Sequence, residues 1–203
     1  MSDRGVLIIL SGPSGSGKDT VLNKLVDGRD DVRVSVSMTT RAKRDGEIDG
    51  KHYYFVNREY FEKKIAEGKM LEYAEYAHNY YGTPREPVEE MLRAGKSVIL
   101  KIEVQGAEKI RRIFPDVTSI FLLPPSMRVL EERLRGRGSE DEETLHHRLV
   151  IAREELRRAY DYDYVVINDT VESAVKGIET VIEAESKKTA RNKNLISEVI
   201  DNV

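Results

Sequence analysis

The sequence predicts an α/β fold, a parallel sheet with helices on both faces, and three observations lead there. The unalternating, β-branched run Val6-Leu7-Ile8-Ile9-Leu10 has the look of a strand covered on both faces, and a glycine-rich turn follows it at once. Similar apolar runs return at 97–102, 117–123 and 164–167. Between them lie helical stripes: Leu145, Leu149, Ala152, Leu156 and Ala159 share one helix face, as do Val171, Ala174, Val175, Ile178, Val181 and Ile182.

The composition bounds the function. With 203 residues, 39% hydrophobic and 34% charged, the chain can bury a real core, as one generous domain or as a core with insertions. It has no cysteine, which removes disulfides, thiolate nucleophiles and Cys-bound zinc and fits a reducing, cytoplasmic location. The longest apolar run is too short to cross a bilayer and follows no basic leader, so a soluble, unexported protein is expected. A net charge of -3 offers no overall attraction for nucleic acid or an anionic membrane. Any anion site must therefore be local.

Taken in order, the first strand runs into Gly12-Pro13-Ser14-Gly15-Ser16-Gly17-Lys18, which opens a helix. In that setting the glycines free backbone N–H groups to converge on phosphate oxygens, the helix N-terminus adds partial positive charge, and Lys18 reaches a phosphoryl group. The residue after the lysine, usually a Ser or Thr that ligates Mg²⁺, is Asp19, and the hydroxyl comes one position later as Thr20. A carboxylate beside phosphates is repulsive unless Mg²⁺ or its water shell lies between, so Asp19 is a candidate for the metal's water shell; otherwise it is simply a favourable acid at a helix N-terminus.

Residues 37–83 break the strand–helix rhythm. They are polar, rich in Tyr, Arg and Thr, with short alternating pieces at 53–56 and 71–76, and predict an inserted small lobe. The core is then 1–36 together with 84–187. Within it, Gly136 to Glu143 puts two glycines and an acidic turn between two helices, predicting a hinged lid over 136–148. The tail, 188–203, is polar and basic before a short apolar patch, and is expected to be a solvated terminus. The four histidines lack metal-ligand spacing and read as surface or packing residues.

The loop at 12–18, the string Ser37 to Glu47 with two arginines three apart, Tyr53, Glu72, the group Asn79 to Thr83 and Val104-Gln105-Gly106-Ala107 together resemble guanylate kinase, from about residue 6 to 185. The Gly-Lys-x-Thr ending is similar to nucleoside monophosphate kinases of the adenylate type, which hold the metal largely through waters and phosphates. The resemblance implies a phosphate-loop NTPase core with a GMP-binding lobe and short lid, the substrates ATP and GMP or dGMP, and Mg²⁺. It implies that Gly12, Pro13, Ser14, Gly15, Ser16, Gly17, Lys18, Asp19 and Thr20 bind ATP, with Arg133 stacked on adenine. It places Arg41, Arg44, Tyr53 and Tyr81 on the GMP phosphate, and Ser37, Glu72 and Thr83 on guanine. Arg137 and Arg148 would bridge the two phosphate groups. Glu103 ends the central strand, with its role open between guanine contact and metal-bound water; Lys101 stands where the family is often acidic. Asn168 is open between touching adenine and serving a helix-start turn.

Chemistry agrees with this assignment. Guanine presents two adjacent donors that one carboxylate can accept, whereas adenine offers an acceptor that repels it, so Glu72 suits guanine. Two guanidinium forks suit a dianionic phosphate. Two rival readings are a non-enzymatic binding module, against which the retained Lys18, Arg137 and Arg148 speak, and a kinase for another small acceptor, against which Glu72 and Thr83 speak.

Overall fold

The computed structural model describes residues 4–136 and 141–201. In chain order, β1 (Leu7–Ser11) leads through the glycine-rich turn into α1 (Lys18–Val26), followed by β2 (Val32–Val34). Then come β3 (Met38–Thr39), β4 (Tyr54–Phe55), α2 (Arg58–Ala66), β5 (Met70–Tyr76) and β6 (Asn79–Pro84). The chain continues through α3 (Arg85–Arg93), β7 (Ser97–Lys101), α4 (Val104–Ile113), β8 (Thr118–Leu123) and α5 (Met127–Arg135). It ends with α6 (Glu142–Arg157), β9 (Tyr164–Ile167), α7 (Val171–Ser186) and α8 (Lys193–Asp201).

Among the described residues, five strands form a parallel sheet in the order β2-β7-β1-β8-β9. β1 lies at its centre, and the pleat explains why its sequence does not alternate. Ile8 and Leu10 face one apolar layer with Leu22, Leu25, Ile178 and Ile182 from α1 and α7. Leu7 and Ile9 face the opposite layer with Val88, Leu92 and Ile110 from α3 and α4. Both faces are thus covered and every β1 residue is buried. The segments that follow β1, β7 and β9 all lie at the carboxyl ends of the strands, the edge at which parallel α/β sheets bind ligands.

A second sheet, in the order β4-β3-β6-β5, is built from residues 38–84. β3 runs parallel to β4 and antiparallel to β6, and β5 and β6 form a hairpin. The hairpin turns at Ala77 and His78, both with positive φ (47° and 62°), the conformation a tight two-residue turn requires. α2 packs on this sheet through fully buried Phe61, whose ring stacks on Tyr80 at 5.1 Å in a small core with Met38 and Met70.

Two expectations are corrected. The stripe read through to Ala159 ends sooner, because α6 stops at Arg157 and Ala159 falls in a 3₁₀ turn, Arg158–Asp161. That turn brings the chain back to β9, with the Asp163 carboxylate accepting the Ser119 amide (2.8 Å) and hydroxyl (2.6 Å). The tail is not simply solvated. Its first part is tied to Glu185, a carboxylate 1% exposed that accepts hydrogen bonds from Thr118 Oγ1 (2.9 Å) and Tyr164 OH (2.7 Å) and pairs with Lys188 Nζ (2.7 Å). Arg191 donates to the Asp116 carbonyl (2.6 Å), and α8 follows.

Glu185→Gln leaves the shape but removes the charge and points an amide donor at hydroxyls that already donate, so a stability loss of about 1–3 kcal/mol is expected on urea unfolding. A loss under about 0.5 kcal/mol would show that this junction carries no weight.

Candidate active site

The glycine-rich turn is held from behind. Gly17 caps α1 in the left-handed region (φ 90°), and a Cβ there would lie 2.4 Å from Asn168 Nδ2. That amide donates to the Ser16 carbonyl at 2.7 Å, while the Asn168 backbone N–H donates to Leu123 O at 2.8 Å. Arg133 adds a donor to the Asn168 carbonyl (3.0 Å) and a longer one to Ser16 O (3.5 Å). Asn168 lies two residues before Thr170, which caps α7 in a capping box with Ser173.

Lys18 begins α1, and its ammonium folds back to donate to the carbonyls of Gly12 and Pro13. Burial lowers its pKa, opposed by the facing carboxylates of Glu103, Glu155 and Asp19; Lys101 acts with burial. Glu103 reaches this position as the residue that starts α4, directly after β7. Glu155, on α6, is close enough to the Ser14 amide and to Glu103 for both to act on its carboxyl. Burial, then the neighbouring Glu103, raises the Glu155 pKa to about 7, against Lys18 and Ser14. Asp19 is exposed, and Oδ1 pairs with Lys101 Nζ at 2.5 Å. Thr20 and Ser14 are exposed beside it.

A second cluster stands on the smaller sheet. Glu72 (β5) lies opposite Thr83 (β6), whose hydroxyl donates to Oε1 at 2.7 Å. The carboxylate is buried, and burial raises its pKa against the Thr83 bond and Lys109. Its other oxygen rests against α4 where Gly106 leaves room: a Cβ at Gly106 would be 3.2 Å from Oε2. Arg41 lies over Tyr53 (5.5 Å) and Phe55 (5.6 Å), and the Tyr53 and Tyr81 rings meet edge to face at 6.1 Å. The Arg41 fork is filled by Glu47, at 2.7 and 3.0 Å. Hydrogen bonds from Arg41 and then the Arg44 amide hold the Glu47 carboxyl down at about 2.

The structure therefore gathers Lys18, Asp19, Glu103, Arg133 and Asn168 around the turn, and Arg41, Tyr53, Glu72, Tyr81 and Thr83 on the second sheet. Ser37 sits just before β3, and its carbonyl accepts the Tyr54 amide (2.8 Å). Arg44 is exposed and reaches the cluster through its backbone. Arg148 is half-buried on α6, and Arg137 lies outside the described residues. Sequence reasoning passed over Glu155 and the Arg41–Glu47 fork. Glu155 falls seven positions after Arg148, two turns along the same face, which was the available signal.

An anion-binding turn between the central strand and its helix, at the carboxyl edge of a parallel sheet, defines a phosphate-loop nucleotide-binding protein. Comparison with known proteins narrows this class. A family model described as guanylate kinase matches residues 4–185. A guanylate kinase from Synechocystis is 52% identical over 174 residues, covering 86% of this chain and 91% of the relative. One from Lactococcus lactis is 48% identical, covering 100% of this chain and 99% of the relative. The crystal structure of guanylate kinase from Anaplasma phagocytophilum superimposes with a TM-score of 0.76 at 39% identity, over 93% of this chain and 90% of that one. The chain belongs to the guanylate kinase family.

The raised Glu155 pKa makes a prediction for the ligand-free protein. The folded state keeps this proton up to about pH 7 while an unfolded Glu loses it near its ordinary value of 4.5, so the group's contribution to stability falls as pH rises through that window. Glu155→Gln removes the effect. The melting temperature of the variant relative to the unmodified protein should climb between pH 4.5 and about 7 and level off above. A flat difference across that range would mean that burial and Glu103 do not raise the Glu155 pKa in the folded protein.

Proposed function

We propose that this chain transfers the γ-phosphoryl group of ATP to GMP, giving ADP and GDP, with Mg²⁺. The observation that carries the reading is Glu72: a buried carboxylate fixed by Thr83 and the Gly106 gap, in the same chain as a phosphate loop. Burying a carboxylate is costly unless it has partners, and the two adjacent donors of guanine are suitable ones. Ser37 and Thr83 flank the base in this reading.

Arg41, Arg44, Tyr53 and Tyr81 take the acceptor phosphate. Glu47 now occupies the Arg41 fork, so the phosphate replaces or shares a carboxylate already held bidentately. That phosphate has a second pKa near ~6, so no general base is needed at neutral pH. The loop 12–17 and Thr20 cradle the donor phosphates through backbone N–H groups, and Lys18 turns from the loop carbonyls toward the transferred group. Arg137 and Arg148 come in from the lid to bridge donor and acceptor. Arg133 and Asn168 support the loop and border the adenine. Catalysis is positioning and cationic stabilisation of spreading charge.

The oxygen donors near Lys18 suit Mg²⁺. No cluster of three or more His, Cys, Asp or Glu that would cage a metal occurs among the described residues. Mg²⁺ is commonly held by one or two carboxylates, water and substrate phosphates, and Asp19 and Glu103 offer such carboxylates, Asp19 through water. When bound, the ion neutralises charge on the donor phosphates. We further take the protein to act in the cytoplasm on these small-molecule substrates.

Coupled ADP release with ATP and each of GMP, dGMP, AMP, CMP and UMP tests the reading; turnover with AMP or a pyrimidine nucleotide above that with GMP would refute it. Glu72→Gln turns a donor toward a guanine donor, so kcat/KM for GMP should drop at least about 100-fold, with much less change in any residual activity on AMP. Equal losses on both would reduce Glu72 to a support of the lobe. Lys18→Ala should lower kcat by several orders of magnitude while leaving the fold intact. Near-normal turnover would remove Lys18 from the reaction.

A further inference from the structure

The mouth of the phosphate loop carries a surplus of negative charge. Asp19, Glu103 and Glu155 all act on Lys18. A triphosphate brings more negative charge to the same place. Without another cation, one ammonium would face the carboxylates of Asp19 and Glu103, with Glu155 part-protonated beside them, where an anion must bind. Lys101 brings another cation to this mouth. It stands at the end of β7, two residues before Glu103, and its Nζ is 2.5 Å from Asp19 Oδ1 although the two residues are 82 apart in sequence. Its field also reaches Lys18. The pair is solvent-accessible, with the two side chains 36% and 74% exposed, so it adds little to the stability of the fold. Its position at the loop mouth, and not its strength as a strut, is what distinguishes it.

We propose that Lys101 is a positioning residue of the donor site: by pairing with Asp19 it cancels a carboxylate that would otherwise repel the nucleotide phosphates, and so allows an acid directly after the loop lysine. The proposal rests on the donor nucleotide lying over the loop at 12–18. Lys101 acts through Asp19, which makes the two residues interdependent, whereas a lysine that bound phosphate directly would act regardless of residue 19. Lys101 engages one oxygen of Asp19, and a carboxylate has two, so the pairing leaves room for a water of hydrated Mg²⁺ on the other.

The test is equilibrium binding of ADP in EDTA by calorimetry, on the full chain and on Lys101→Met, Asp19→Ser and the double variant. Without metal, the charge of the protein alone faces the phosphates. Lys101→Met should weaken ADP binding about tenfold or more, and the loss should shrink as salt screens it. Adding Asp19→Ser to Lys101→Met should restore affinity to within about threefold of the unmodified protein. A loss that persists in the double variant would overturn the pairing and make Lys101 a direct phosphate contact. No loss in Lys101→Met would overturn any role for Lys101 in the donor site. If the unmodified protein binds no ADP with or without Mg²⁺, both the donor-site assignment and the proposal fall, a result distinct from failure of the pair alone. Melting curves of the four forms, expected to coincide within a few degrees, separate these effects from misfolding.

Discussion

A phosphate loop can turn its amide N–H groups toward an anion only if its carbonyls find donors elsewhere, and this requirement organises the core. The Ser16 carbonyl is served by the Asn168 side chain, which comes from the end of β9, with Arg133 of α5 behind it. The Gly12 and Pro13 carbonyls are served by the loop's own Lys18. The glycines follow from the same crowding. A side chain at Gly17 would collide with Asn168, and one at Gly12 would meet the Leu122 carbonyl at 2.5 Å. Residues separated by about 150 positions thus hold one turn in shape, and the parallel sheet is what lines up their strand ends.

The first turn of α4 joins the two halves of the site. Glu103 starts the helix and faces Lys18, while Gly106, one turn on, leaves the space in which Glu72 of the second sheet rests. Lys109 extends the junction by donating to the Tyr73 carbonyl at 2.7 Å. A displacement of β5 relative to α4 would move the Glu72 carboxylate relative to the loop. The close backbone approach at Gly106 is therefore part of the site even though Gly106 carries no chemistry.

Charge is distributed between the clusters by the same logic. On the second sheet, Arg41 is already engaged by Glu47, and on the core, carboxylates crowd Lys18. Arg41 pairs with Glu47 and Lys101 with Asp19 in the ligand-free protein, which keeps these two from being bare charges. Incoming phosphates compete with those carboxylates, so affinity reflects the difference between two sets of charge-assisted contacts and not the full strength of either.

The sequence by itself determined the fold class, because that rests on periodicity: the two-sided apolar run of β1 and the stripes of α6 and α7 are local patterns with a local meaning. The loop at 12–18 was legible for the same reason, since strand, glycines, lysine and helix are contiguous. Glu72 and Arg41 were singled out by the family resemblance, with which the chemistry of guanine and phosphate agrees. β2, α2 and the tail helix were not anticipated; three residues of β2 are too few for a pattern, and the tail is anchored by Glu185, whose burial depends on Thr118 and Tyr164 from other strands. Only the tertiary structure decided that Asn168 braces the loop, that Glu155 comes close to Glu103, and that Lys101 pairs with Asp19. In each case the partners are far apart in the chain and become neighbours because strand ends and the helices packed beside them converge at one edge of the sheet, and no local pattern records which of them will meet there.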